Sequence, residues 1–216
     1  MSEGVSAAAM KTLNPSEQSP QDTYKLLVGS VVPRPIAFVS SMDAQGVGNL
    51  APFSFFTVAS ANPPIVCFCP MVRGDNKTGL QSTKDTLRNI IATREFVLNI
   101  VSEEFAAQMN ACSGDFPPDV DEFAVSGLTP LASELVRPPR VAESHVQMEC
   151  RLEQVVHVSA EPLGGSLVLG EVLRFHIRES LLENFRIDPS KLHAIGRMAG
   201  STYARTTDRF DMERPK

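Results

Sequence analysis

The sequence lacks the patterns that mark dithiol, dinucleotide and common metal sites. Its four cysteines include no CxxC pair, which excludes the zinc-ribbon and thioredoxin classes. No GxGxxG follows a candidate strand, so a Rossmann nicotinamide domain is not predicted. No histidines have HExxH spacing, and the acidic run at residues 115–122 does not match an EF-hand loop. We predict no metal site and interpret the acidic run as a solvated loop.

Positive charge and long hydrophobic runs are also scarce. The net charge is −5 and the pI about 5.4, which argues against a broad surface for nucleic acid. The longest apolar stretches, such as Ile65–Val72, are too short to cross a bilayer. The polar segment at residues 1–22 has no basic start followed by an apolar run, so we expect no secretory signal and a cytoplasmic location.

The size and composition predict one ordinary globular domain. The chain has 216 residues, of which 43% are hydrophobic and 21% charged. No linker divides it cleanly. We expect residues 1–20 to form a flexible tail and residues 21–216 to form a single domain.

Strand patterns dominate the chain. Runs rich in Val, Ile and Phe, bounded by Pro, Gly or Asn, are typical of strands, and Pro162–Gly165 predicts a turn between the last two. The close spacing of several pairs favours antiparallel pairing. This predicts a mainly β barrel or sandwich with a few peripheral helices. The predicted strands are Ile36–Ser41, Asn49–Val58, Ile65–Cys69, Glu95–Val101, Val146–Ala160 and Ser166–Ile177.

Helix signals are fewer. Ser82 or Thr83 can cap a first helix, Ser102 a second, and Asp188 followed by proline indicates a third. The proline-rich stretch Ser113–Pro139 predicts a long excursion with little regular structure. The glycine-rich stretch Ile195–Tyr203 predicts a loop.

The start of the first helix has the groups that a phosphate needs. Lys84 supplies a cation, Thr83 and Thr86 supply hydroxyls, and a helix N-terminus supplies backbone N–H groups. Ser40 and Ser41, at the end of the first strand, offer hydroxyls from another side. The alternative is a routine capped helix with a solvated lysine, and by itself this pattern favours that alternative.

The segment NLAPFSFFT, residues 49–57, offers a wall for a flat ring. Pro52 lacks a backbone donor and is tolerated only at a sheet edge or a bulge. A bulge leaves neighbouring backbone groups free to bind a ligand, and Phe53, Phe55 and Phe56 add apolar surface. A core strand without any ligand fits the composition equally well.

Several motifs in order give the chain a resemblance to a known family. PRPIAFVSS, NLAPFSFF, KDTLRNI and EFVLNIV resemble the flavin reductase-like family with an FMN-binding split barrel, and the likeness extends from about Tyr24 to Pro215. It implies a six-stranded antiparallel Greek-key split barrel that forms a homodimer with FMN near the interface. Met198 follows Gly196 and Arg197 where a related branch has GRDH, so the likeness favours the flavoredoxin-like branch.

The resemblance also implies a set of cofactor-binding residues. Ser40 and Ser41 correspond to ribityl or phosphate contacts, and residues 49–51 lie along the flavin. Residues 54–56 lie near its ring, residues 84–86 correspond to the phosphate end, and one arginine reaches the cofactor. The complete set is Ser40, Ser41, Asn49, Leu50, Ala51, Ser54, Phe55, Phe56, Lys84, Asp85, Thr86 and Arg197.

Three functional hypotheses remain open at this point. The first is an NAD(P)H-dependent flavin reductase that passes hydride to N5 of FMN and then either supplies a partner monooxygenase or passes the electrons to another redox partner. The second is a flavoredoxin-like electron carrier that is reduced by a protein partner, and the third is a non-enzymatic barrel without flavin. Hydride transfer needs no side-chain acid or base, so we predict no catalytic residue.

Overall fold

The computed structural model describes residues 8–73 and 83–215. Within them the chain forms five α-helices and thirteen β-strands, with short 3₁₀ turns between some of them. The helices are α1 (Pro20–Ser30), α2 (Asp85–Thr93), α3 (Ala106–Ala111), α4 (Glu122–Ser126) and α5 (Pro189–Leu192). The strands are β1 (Ala37–Met42), β2 (Gly48–Phe53), β3 (Phe56–Ala61), β4 (Pro64–Phe68), β5 (Glu95–Ile100), β6 (Pro130–Leu131), β7 (Arg140–Val141), β8 (Val146–His157), β9 (Ser166–Ile177), β10 (Leu182–Glu183), β11 (Arg186–Ile187), β12 (Ile195–Arg197) and β13 (Tyr203–Arg205).

A seven-stranded antiparallel sheet forms the body of the molecule, which confirms the mainly β prediction. Its strand order is β2-β1-β5-β8-β9-β4-β3. The two edge strands β2 and β3 are joined only by Ser54 and Phe55, so the sheet must curve until its edges lie close together. The result is a barrel that stays open between these two strands.

The predicted count of six strands is wrong because Asn49–Val58 is not one strand. The chain leaves the sheet at Ser54 and re-enters it at Phe56 on the opposite edge. Pro52 pairs with Phe38 in an unbroken β1–β2 register, so its missing N–H is tolerated at an edge rather than at a bulge. The bulge in this region falls between Val58 and Ser60.

Some of the other secondary-structure predictions are confirmed, and others are wrong. The strands from Glu95, Val146 and Ser166 are confirmed within a few residues. Ile195–Tyr203 is not simply a loop, because β12 pairs with β13 across it. The helix after residue 84 is confirmed, but Thr83 does not cap it, and Ser82 lies outside the described residues. The sequence analysis did not predict α1.

Two apolar clusters flank the sheet. One fills the barrel, where the ring centroids of Phe53 and Phe68 lie 5.1 Å apart and those of Phe68 and Phe96 lie 5.6 Å apart. Leu87 and Ile90 of α2 pack against this cluster. The other lies between the outer face of β1 and the segment that carries α3 and α4. These contacts hold α2, α3 and α4 around β2.

No helix within the described ranges has both the length and the apolar composition needed to cross a membrane.

The tight packing of Gly170 against Phe96 leads to a stability prediction. A Cβ atom at Gly170 would overlap the Phe96 ring, so Gly170→Ala should lower the free energy of unfolding by about 1–3 kcal/mol. Gly29→Ala is the control, since a Cβ there meets nothing within 4 Å and α1 should be stabilised by about 0.5–1 kcal/mol. Urea unfolding of both variants measures the difference. Equal stability of the two would contradict the predicted overlap.

Candidate functional site

A cleft opens where β2, the start of α2 and the segment around α4 meet. Its first part is a cavity of about 80 Å³ between these three elements. Seven of its lining residues belong to β2 or the start of α2, and an eighth begins α4. These residues are Asn49, Ala51, Pro52, Phe53, Lys84, Asp85, Thr86 and Glu122.

A second cavity of about 130 Å³ adjoins the first. Pro52 and Ser113 line both cavities, so the two lie side by side along β2, and together they make up the cleft. Ser54, Arg197 and Tyr203 lie at its far end. Ligand pockets commonly have about 300–1,000 Å³. Both cavities are smaller, so a nucleotide-sized ligand would be only partly enclosed by one chain.

The end of the cleft at α2 is rich in paired charges. Lys84 is the N-cap of α2 but makes no side-chain capping bond. Its Nζ lies 2.7 Å from Oδ1 of Asp115, and Nε of Arg73 donates to the same oxygen at 3.0 Å. Arg73 also donates to Asp85 at 3.2 Å. The Lys84 ammonium, followed by the Arg73 guanidinium, lowers the pKa of Asp115.

Lys84 and Arg73 therefore form an anion-binding site, and the Asp115 carboxylate of the same chain occupies it. A carboxylate and a phosphate bind ammonium and guanidinium groups through the same charge-assisted hydrogen bonds. The α2 N-terminus lies beside them, and the side chain of its N-cap Lys84 makes no capping bond to the first-turn N–H groups. An incoming phosphate would therefore compete with Asp115.

Thr86 and Asn49 are held together within the cleft wall. Nδ2 of Asn49 donates to Oγ1 of Thr86 at 3.1 Å, and both side chains are buried. The bond links the first turn of α2 to the edge strand β2. It fixes the orientation of the Thr86 hydroxyl before any ligand arrives.

The far end of the cleft is built around an arginine on β12. The Arg197 guanidinium stacks on the Tyr203 ring, with 4.5 Å between its central carbon and the ring centroid. Tyr203 donates from its hydroxyl to Asn110 at 3.1 Å. The backbone of Arg197 pairs with Arg34, which is itself buried and bound to three carbonyl groups. This planar, cationic surface can contact a flat or anionic group.

Seven of the twelve predicted cofactor residues line this cleft. Five lie in the first cavity and two in the second: Asn49, Ala51, Lys84, Asp85 and Thr86, then Ser54 and Arg197.

The structure does not bring the other five to the cleft. Ser40, Ser41 and Leu50 have no exposed side-chain surface, and the Ser40 hydroxyl donates to the carbonyl of Pro139. Phe56 packs against the barrel core, and Phe55 lines a different cavity beside α1. The Ser40 and Ser41 hydroxyls therefore meet other partners, since both side chains are buried under the elements that pack on β1.

The cleft residues that the sequence analysis did not predict include Glu122, Arg73 and Tyr203. Glu122 was interpreted as part of a solvated acidic loop, yet it is buried and its Oε2 accepts from the Leu50 N–H at 3.0 Å. Arg73 belongs to no recognised motif, and Tyr203 was predicted only as the end of a loop. The one available signal was the long proline-rich excursion, since such loops often cover a functional surface.

Comparison with known proteins identifies the family. The family model described as "Flavin reductase like domain" matches residues 28–200. The chain belongs to the flavin reductase-like family. Membership indicates a flavin-binding oxidoreductase.

Relatives of this flavin reductase-like chain match along nearly its whole length. Nitrilotriacetate monooxygenase component B from Bacillus cereus shares 38% identity and a TM-score of 0.89, covering 95% of this chain and 100% of that one. The 2-nitrobenzoate 2-nitroreductase NbaA of Pseudomonas fluorescens shares 32% identity and a TM-score of 0.83, covering 95% and 96%. An uncharacterized protein of Aquifex aeolicus is 40% identical, over 84% of this chain and 89% of its own.

Proposed function

We propose that this flavin reductase-like chain is an FMN-dependent NAD(P)H oxidoreductase that supplies reduced flavin to a partner monooxygenase. The observation that carries the proposal is the pair of adjoining cavities along β2, with paired cations at α2 and the Arg197–Tyr203 surface at the far end. When bound, FMN supplies the redox chemistry, since its N5 accepts hydride from the nicotinamide.

The residues of the chain bind and orient the flavin nucleotide. Lys84, Arg73 and the first-turn N–H groups of α2 would hold the phosphate, and the Thr86 hydroxyl would add a polar contact. Edge strand β2 would supply the wall along which the rest of the nucleotide lies. Arg197, stacked on Tyr203, would bound the open end where the hydride donor enters. No side chain needs to transfer a proton for the hydride step.

The paired cations support FMN as the flavin rather than FAD. FMN ends in a dianionic phosphate, which matches the charges of Lys84 and Arg73. FAD would need further room beyond its pyrophosphate, and the first cavity offers only about 80 Å³. Quenching of flavin fluorescence should show tightest binding for FMN, weaker binding for FAD and weakest binding for riboflavin, which has no phosphate.

Rapid mixing of the FMN-loaded protein with NADH or NADPH tests the oxidoreductase activity. We expect the oxidised flavin absorbance near ~450 nm to bleach within seconds with at least one donor. An oxidised spectrum that persists for minutes with both donors would reject the proposal. A colourless protein that binds no added flavin would instead support the barrel without cofactor.

A monooxygenase as the acceptor is supported by the 38% identity with a protein named as component B of such an enzyme. The alternative function is that of a flavoredoxin-like electron carrier, which another protein reduces. Steady-state NADH oxidation that rises with added free FMN supports the reductase. Slow oxidation of both nucleotides, together with fast reduction by a protein donor, supports the carrier.

We also propose that the chain acts as a homodimer. Large apolar side chains remain exposed on α1 and β3, including Leu27 at 55% and Val58 at 67%. The cleft encloses a nucleotide only partly, so a second copy would complete it. Light scattering of the purified protein should give twice the 23.5 kDa mass of one chain.

Removing the carboxylate of Asp115 should strengthen FMN binding. Asp115→Asn removes the negative charge that occupies Lys84 and Arg73, so the FMN dissociation constant should fall roughly fivefold, about 1 kcal/mol. Asp119→Asn, the same charge change at an exposed position of the same loop, is the control and should leave the constant unchanged. Weaker FMN binding by Asp115→Asn would show that this carboxylate does not compete with the phosphate.

A further inference from the structure

Glu122 is a buried carboxyl group that the proposed hydride step does not use. Its exposed fraction is 8%, and it lines the first cavity together with Asn49, Lys84 and Thr86. Oε2 accepts the Leu50 N–H at 3.0 Å, which fixes the carboxyl against the edge strand β2. Any phosphate held at the start of α2 would share this small cavity with Glu122.

The charges around Glu122 come from each element packed against it. From α2 come Lys84 and Asp85, from the segment after β4 comes Arg73, and Asp121 precedes Glu122 in the chain. From the loop between α3 and α4, Asp115 faces the same cations. At the end of α3, the Cys112 thiol donates to the Glu122 carbonyl at 3.7 Å, and burial raises the pKa of that thiol to about 11. Thus Lys84 and Arg73 already pair with Asp115, and Arg73 also pairs with Asp85.

A phosphate in this cavity would be strongly repelled by an ionised Glu122. Two negative charges a few ångströms apart in a partly buried site disfavour each other, whereas a neutral carboxyl can donate a hydrogen bond to a phosphate oxygen. We propose that Glu122 takes up one proton when a phosphate-bearing flavin binds, so that the neutral acid admits the phosphate and the carboxylate opposes it. This inference rests on the proposed function only in placing the phosphate in the first cavity.

The titration of Glu122 in the free protein agrees with this geometry. Burial raises its pKa to about 7, the hydrogen bond from Leu50 opposes the shift, and the negative charges of Asp85 and Asp121 add to it. The group can therefore exchange its proton near neutral pH. A bound dianion would raise its pKa further, so above pH 7 binding must be accompanied by proton uptake.

The test is the pH dependence of FMN affinity in the full chain, wild type against Glu122→Gln. Between pH 7 and 8.5 a free phosphate monoester is already a dianion, because its second pKa is about 6. We expect the wild-type dissociation constant for FMN to rise by up to about tenfold per pH unit, and that of Glu122→Gln to stay nearly constant. The glutamine oxygen can still accept the Leu50 N–H. Riboflavin, which lacks the phosphate, should bind with little pH dependence to both proteins.

Calorimetry gives a readout that does not depend on the variant. Titration of wild-type protein with FMN at pH 8, in two buffers of different ionisation enthalpy, should show uptake of close to one proton. Tight FMN binding without proton uptake and with equal pH profiles would overturn the inference and leave the proposed reductase intact. Absence of FMN binding at every pH would overturn both. Proton uptake in a protein that NADH and NADPH fail to reduce would support the inference and reject the reductase.

Discussion

Replacing both Lys84 and Thr86 with alanine is expected to raise the FMN dissociation constant more than a hundredfold. Lys84 is the N-cap of α2 and lines the first cavity, and Thr86 is the second residue of that helix. A hydrogen bond to a charged group contributes roughly 1.5–3 kcal/mol, so the loss of two contacts should cost about 3 kcal/mol or more. Fluorescence titration with FMN measures the change.

Two controls separate a lost phosphate contact from a damaged fold. Riboflavin affinity should be unchanged in the double variant, because riboflavin has no phosphate for these residues to bind. Lys25→Ala removes an exposed lysine on α1, which lies outside the cleft, and should leave FMN affinity unaltered. An unchanged FMN constant in the double variant, with a folded protein, would show that the phosphate binds elsewhere.

Glu149→Ala is expected to lower the free energy of unfolding by about 3–5 kcal/mol. The Glu149 side chain is completely buried on β8. Its carboxylate accepts the N–H groups of Glu134 at 2.8 Å and Leu135 at 2.6 Å, and it lies 2.7 Å from Nε2 of His176. The alanine variant would leave these buried polar groups without their acceptor. The carboxylate also fastens the segment before β7 to the main sheet.

The effect should depend on pH in one direction. Burial alone would raise the pKa of Glu149, but the two backbone N–H groups and His176 outweigh it, so its pKa lies below 4.5. A carboxyl with a depressed pKa in the folded state stabilises the protein above its unfolded pKa and loses that contribution as the pH falls. The difference between wild type and Glu149→Ala should therefore shrink below pH 4.5.

Urea unfolding at pH 7 and pH 4 measures both claims. Glu153→Ala, an exposed position on the same strand, is the matched control and should stay within about 0.5 kcal/mol of wild type. A Glu149→Ala loss no larger than that of the control would mean that the hydrogen-bonded carboxylate contributes little.

The regular parts of the fold could be predicted because their signals are local. In β9 the buried positions alternate along most of the strand, as its sequence pattern predicts. In α2, Leu87 and Ile90 recur at helical spacing and both are buried. The break at Ser54 could not be predicted, because the pattern of NLAPFSFF is that of one continuous strand. Only the curvature of the sheet places its two halves on opposite edges.

The candidate site divides in the same way. The KDT sequence predicted that Lys84, Asp85 and Thr86 begin a helix, and their place in the cleft follows from that start. Ser40 and Ser41 were predicted to contact the cofactor from their place in the family motif PRPIAFVSS. In the structure the Ser40 hydroxyl binds the Pro139 carbonyl, and the Ser41 hydroxyl binds the Asn89 side chain. Which face of a strand meets a ligand depends on what packs against that face, and for β1 this is α2 at Ser41 and the segment before β7 at Ser40.

The sequence by itself determined the mainly β architecture, the start of α2 and the family, since these depend on alternation, capping and ordered motifs within short stretches of chain. Only the tertiary structure decided that Glu122 is buried beside Lys84, that Asp115 pairs with Arg73, and that Arg197 closes the far end of the same cleft. The second cavity alone brings together residues up to 167 positions apart, from Ile36 to Tyr203. Such pairings form because the curvature of the sheet and the packing of the two apolar clusters bring distant parts of the chain together. The sequence around each residue does not specify this long-range geometry.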